Sequence, residues 1–94
     1  MILGDIVKQQ RRLKKLTQKE LSVKAGVAMT TISFLECGQG RYPNSETLTS
    51  LALALDLYPA YLILSSIREE DVPAGNRKRF EVLRKEMIEL LKLS

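Results

Sequence analysis

A chain of 94 residues has room for one small domain with a single modest core, and this one carries 15 Lys and Arg against 11 Asp and Glu, a formal net charge of +4. It has no His and one Cys, so His-based acid–base chemistry, Ser-His-Asp triads, Cys-His pairs and His or multi-Cys zinc sites cannot be assembled within it. No enzymatic activity, cofactor or metal is expected.

Nowhere do apolar and polar residues alternate as in strands, whereas apolar spacings of three and four recur throughout, so the expected fold is all-α. Leu3, Ile6, Val7, Leu13 and Leu16 suggest a first helix over about residues 3–14, with Gln10 an odd polar member of its stripe. From Lys8 through Arg11, Arg12, Lys14, Lys15 and Lys19 to Lys24 the only acid is Glu20. Such a run is either a solvated helix face or the positive field that a polyanion requires, and charge alone does not decide.

Thr17-Gln18-Lys19-Glu20 is a capping box that opens a second helix: the Thr hydroxyl accepts from the third helical residue, and the Glu reaches back to the cap. Leu21 and Ala25 give it a core face, and Gly26 supplies the left-handed residue that ends it. After a short turn from Val27 a third helix is expected over about residues 28–37, with Ile32 and Leu35 in the core phase and Phe34 outward. Gly38 and Gly40 mark a loop, Asn44 caps a fourth helix carrying Leu48, Leu51, Ala52 and Leu55, and Pro59 suits the first turn of a fifth that reaches about Ser65.

The apolar stretch 48–64 is broken by Thr49, Ser50, Asp56 and Pro59 and falls short of the roughly 20 residues of a membrane span. Cys37 has no internal disulfide partner, and no segment reads as a signal peptide, so a soluble cytoplasmic protein that avoids membranes is expected. Residues 67–76, IREEDVPAGN, are charged and hold Pro73 and Gly75, which favours a linker, with Asn76 as a cap for a terminal helix. The division expected is therefore residues 1–66 as one domain, 67–76 as linker and 77–94 as an amphipathic appendage. In that last helix Phe80, Leu83, Met87 and Leu90 have the 3, 4, 3 spacing of a helix seam.

Leu16-Thr17-Gln18, Glu20-Leu21, Lys24-Ala25-Gly26-Val27, Thr31-Ile32-Ser33, Leu35-Glu36, Gly38, Pro43, Glu46-Thr47-Leu48 and Leu51-Ala52-Leu55 together resemble the Cro and phage-repressor type of helix-turn-helix DNA-binding domain over roughly residues 3–64. The resemblance implies a five-helix repressor-like domain, double-stranded DNA as partner, and transcriptional regulation, most simply by a dimeric repressor on a pseudo-palindromic operator. It places Gln18 at a helix N-terminus that attracts phosphate. It gives Arg11 and Glu36 positions that in some relatives form an ion pair tying the first helix to the third, with Arg11 also near phosphate. Lys19, Arg41 and Tyr42 complete the expected phosphate set, and Lys15 stands where relatives commonly have Gly.

The third helix lies in the major groove in this family, which assigns base reading to Ala28, Met29, Thr30, Thr31, Ser33 and Phe34. Here the sequence departs from the pattern, because Ala28, Met29 and Phe34 replace the usual polar readers: there is no Arg or Lys fork for guanine and no Asn or Gln fork for adenine. Two readings are open. Met29 and Phe34 contact thymine methyl groups while phosphates supply most of the affinity, or the fold serves as a protein-interaction module, an antitoxin or antirepressor-like partner, with Met29, Phe34 and Cys37 as its contact patch. Plainer readings pack Met29 on its own domain and make Cys37 a small apolar filler.

The seam at 80, 83, 87 and 90 is too short for an independent coiled coil. One reading packs it on its own domain. The reading preferred is a two-fold homodimer in which it combines with Leu57, Tyr61 and Leu64 of the fifth helix. With Phe80 as position a, Arg79 and Glu86 fall at g positions that meet in an antiparallel pair, whereas a parallel pair would set Arg79 against Arg84. Such a dimer holds its two reading helices about 34 Å apart.

Overall fold

In the computed structural model, which describes residues 3–39 and 42–91, the chain forms six α-helices in the expected order, with no strand among the described residues. These are α1 Leu3–Leu13, α2 Gln18–Ala25, α3 Met29–Glu36, α4 Ser45–Ala54, α5 Pro59–Ser66 and α6 Arg77–Leu91. The local signals set the boundaries. Thr17 Oγ1 accepts from the Glu20 amide at 3.0 Å while Glu20 Oε1 accepts from the Thr17 amide at 2.9 Å, and hydrogen bonding from the Thr17 backbone and then its side chain draws the Glu20 carboxyl below its usual range. Asn44 Oδ1 accepts from the Thr47 amide at 2.8 Å, and Pro59 takes the first turn of α5. No single helix among the described residues is long and apolar enough to cross a membrane.

Among the described residues Lys15, Gly26, Gly38 and Asp56 have a positive φ, and the two that flank α2 bear on the site. Gly26, at φ 68°, ends α2, and its amide and that of Val27 both donate to the Ser22 carbonyl. Before α2 the same region is occupied by Lys15, at φ 58°, where a side chain costs roughly 1–2 kcal/mol over Gly. The turn persists because its neighbours fix it: the Leu16 amide donates to the Arg11 carbonyl, and Arg11 Nη1 donates to the Leu16 carbonyl at 2.8 Å. Replacing Lys15 by Gly should raise stability by about 0.5–1 kcal/mol, strain relief exceeding the added freedom of the unfolded chain. A urea midpoint that falls would show that the strain is absent.

Leu3, Ile6, Val7, Leu21, Ile32, Leu35, Leu48, Leu51, Ala52, Ala54, Leu55 and Leu62 form the core. α1 packs on α3 and α5, α2 on α3 and α4, and α4 on α5. Leu13 departs from the expected core stripe: it is 68% exposed, at the last position of α1. Gly4 is buried where α1 crosses the end of α3, and a β-carbon built on it would stand 1.9 Å from the Leu35 carbonyl oxygen.

Residues 67–76, expected as a linker, are folded into two 3₁₀ turns, Glu69–Asp71 and Ala74–Asn76. Asn76 closes the second, its amide donating to the Pro73 carbonyl, so the chain enters α6 through that turn rather than from an Asn cap. Arg77 Nε donates to the Glu69 and Val72 carbonyls. Arg84 Nη1 donates to the Leu64 and Ile67 carbonyls at the end of α5, its Nη2 pairs with Glu81, and its guanidinium lies 5.2 Å from the Phe80 ring centroid. α6 thus packs on α5, with Arg84 reaching its end and Glu81, Ile88 and Leu91 half-buried, while Leu83, Met87 and Leu90 stay exposed.

Candidate nucleic-acid interface

The geometry of α1, α2 and α3 converges on Glu36, at the last position of α3 and buried. Arg11 Nε donates to Glu36 Oε2 and Nη2 to Oε1, both at 2.8 Å, a bidentate pair with side chains 11% and 3% exposed. Gln18, first residue of α2, donates from Nε2 to Glu36 Oε1 at 3.2 Å. Burial opposes the Glu36 charge and is the largest single influence on it. Hydrogen bonds from Arg11 and Gln18, then the charges of Arg11 and Lys8, together outweigh that burial and hold the carboxyl below its ordinary value. Because the Arg11 guanidinium commits three of its five N–H donors to Glu36 and the Leu16 carbonyl and its side chain is 11% exposed, it ties the helices together and offers little surface to a phosphate. Gln18 commits one amide hydrogen to Glu36 and keeps a second for an anion.

With Glu36, Ile32 and Leu35 turned inward, α3 presents its other side. Met29 is 48% and Phe34 54% exposed, Thr30 and Thr31 are exposed, Ser33 is half-buried, and Ala28 is exposed at the N-cap position with no side-chain cap bond. Met29 therefore does not pack away into its own domain, and Phe34 projects as its phase requires. Cys37 is exposed on the same side, its Sγ donating to the Ser33 carbonyl, so the filler reading of this thiol is corrected. Lys19 is exposed on the first turn of α2, beside Gln18. Tyr42 is 59% exposed, its hydroxyl 3.4 Å from Ser66 Oγ, and Arg41 lies outside the described residues.

The residues expected at a dimer interface divide into two groups. Leu57, in the α4–α5 connection, and Tyr61, on α5, pack against the chain's own core, and Leu64 of α5 is half-buried. Phe80 is half-buried beside Arg84, whereas Leu83, Met87 and Leu90 remain outward, joined by Val82 on α6 and Ile63 on α5, which apolar spacing does not single out. Arg84 also escapes sequence reasoning, since satisfying carbonyls on another helix leaves no trace in apolar spacing.

A helix-turn-helix family model matches residues 7–62. The structure is similar to that of a complex of the SinR and SinI proteins, with 27% identity, a TM-score of 0.65, and coverage of 92% of this chain and 79% of that one. It is also similar to the clp gene regulator ClgR from Corynebacterium glutamicum, with 24% identity, a TM-score of 0.62, and coverage of 96% and 86%, a likeness that speaks to the fold alone.

Proposed function

Because the chain belongs to the helix-turn-helix family of the Cro and phage-repressor type, a family of DNA-binding regulators and not of enzymes, we propose that it is a sequence-specific transcriptional regulator, a dimeric repressor that lays α3 in the major groove of a pseudo-palindromic operator. One observation carries the reading: the Arg11–Glu36–Gln18 node fixes α3 against α1 and the start of α2, so the outward face of α3 is presented rigidly beside Gln18 and Lys19. A helix held in this way can enter a groove while α2 addresses the phosphates flanking it. Arg41 and Tyr42 complete the proposed set of phosphate contacts. The test is the salt dependence of binding to selected and random duplexes. A steep slope with a sequence preference is expected, and Lys19→Ala should weaken binding to every duplex alike and reduce the slope by about one. A flat salt dependence would remove DNA as the partner.

The homodimer rests on Leu83, Met87 and Leu90, which α6 leaves uncovered while it is anchored to α5. An antiparallel pairing about a two-fold axis sets Leu83 opposite Met87 and Phe80 opposite Leu90. Light scattering at micromolar concentration should give a dimer, and Leu83→Lys with Met87→Lys should give a folded monomer. A wild-type monomer would refute the pairing. The second reading, a protein-interaction module with Met29, Phe34 and Cys37 as its contact patch, draws support from the likeness to a chain in the SinR and SinI complex.

A further inference from the structure

Resting on the DNA-binding reading above, we propose that α3 selects its sites through the C5 methyl group of thymine, with Phe34 and Met29 as the specificity-determining contacts. Both side chains are about half exposed on the outward side of α3. The helix, MTTISFLE, holds no Arg, Lys, Asn or Gln, and its one charged residue, Glu36, is turned inward to Arg11 and Gln18. The side-chain forks that pair with guanine or adenine edges are therefore missing from it.

An apolar side chain can still discriminate. Against guanine O6 and N7 or cytosine N4 it excludes water from a polar atom and returns no hydrogen bond, which is unfavourable. Against thymine it meets the one apolar group on the major-groove edges of the four bases and removes that methyl from water. Preference arises from a gain at thymine and a loss elsewhere. Met29, at the first position of α3, and Phe34 are five residues apart, about 7.5 Å along the helix axis and about 140° around it, so they address different base pairs from different sides of the helix. The surrounding charge favours this occupant over an apolar protein surface. Lys19 stands exposed on the first turn of α2 beside Gln18, which itself reaches the end of α3 at Glu36, so a cation that a phosphate backbone satisfies accompanies α3.

The experiment selects a bound duplex from a random pool with the full chain. Each thymine of a half-site is then replaced in turn by uracil, cytosine or 5-methylcytosine, and affinity is measured at fixed salt. Uracil should weaken binding about three- to fivefold at one or two positions per half-site. At those positions 5-methylcytosine, which keeps the methyl, should bind better than cytosine. Phe34→Ala should abolish the uracil penalty at one position and Met29→Ala at the other, with the salt slope unchanged. Sequence-selective binding that tolerates uracil at every position would overturn the proposal while leaving the regulator reading intact. Failure to bind any duplex selectively would overturn both.

Discussion

Replacing Gly4 by Ala should destabilise the domain by about 3 kcal/mol or more, toward the upper end for an overpacked site. The sign is the informative part, because in an ordinary helix Ala is favoured over Gly by about 1 kcal/mol, and helix propensity alone would forecast a gain. The new methyl would stand 1.9 Å from the Leu35 carbonyl oxygen and 2.9 Å from its carbon. Those are backbone atoms near the end of α3, with no rotamer to yield, so α1 and α3 must separate. Separation also disturbs Arg11 and Glu36, which join the same two helices. For a domain of this size a loss of 3 kcal/mol lowers the thermal midpoint by more than about 12 °C. An unchanged or higher midpoint for Gly4→Ala would mean that the two helices do not approach so closely.

That residue marks where sequence reasoning stops. Capping chemistry is local, and the signals at Thr17, Gly26 and Asn44 place helix boundaries because each acts on atoms within a few residues of itself. Gly4 looks, by the same local rules, like a mildly unfavourable helix residue, and its reason for being Gly lies 31 positions away at Leu35. The core phase of α3 is legible, since Ile32 and Leu35 recur at helical spacing, and so is the outward direction of Phe34. The pairing of Arg11 with Glu36 is accessible only through the resemblance to a family, because no periodicity links charges 25 residues apart. In α6 the apolar seam is legible as a stripe, but α6 is held in part by Arg84 reaching carbonyls at the end of α5 and by Arg77 reaching those of the turn before it. Apolar counting cannot register such a contact.

Removing one partner of the Arg11–Glu36 pair should have the other large effect. Glu36→Ala leaves the Arg11 guanidinium, 11% exposed, beside an emptied site, and breaking a buried pair in this way costs about 3–5 kcal/mol. Most of that penalty is the stranded charge. Arg11→Met combined with Glu36→Leu should therefore be far milder than the sum of the single changes, and a double-mutant cycle by urea unfolding should return a coupling of at least about 1 kcal/mol. Additive losses would show that the two residues act independently. The pair also sets a direction for pH. Glu36 has a folded-state pKa below its ordinary value, so the folded chain binds that proton less readily than the unfolded chain. Its contribution is complete above the unfolded carboxylate pKa of about 4.3 and is lost as pH falls from there through the depressed folded value. Wild type should lose more stability between roughly pH 5 and pH 3 than Glu36→Gln, which has no proton to take up at this site. Because Glu36 also receives the Gln18 amide, the variant should relax the start of α2 and weaken DNA binding even at neutral pH, where wild type is fully paired. Equal acid sensitivity in the two proteins would place the titrating group elsewhere and remove Glu36 as the electrostatic anchor of α3.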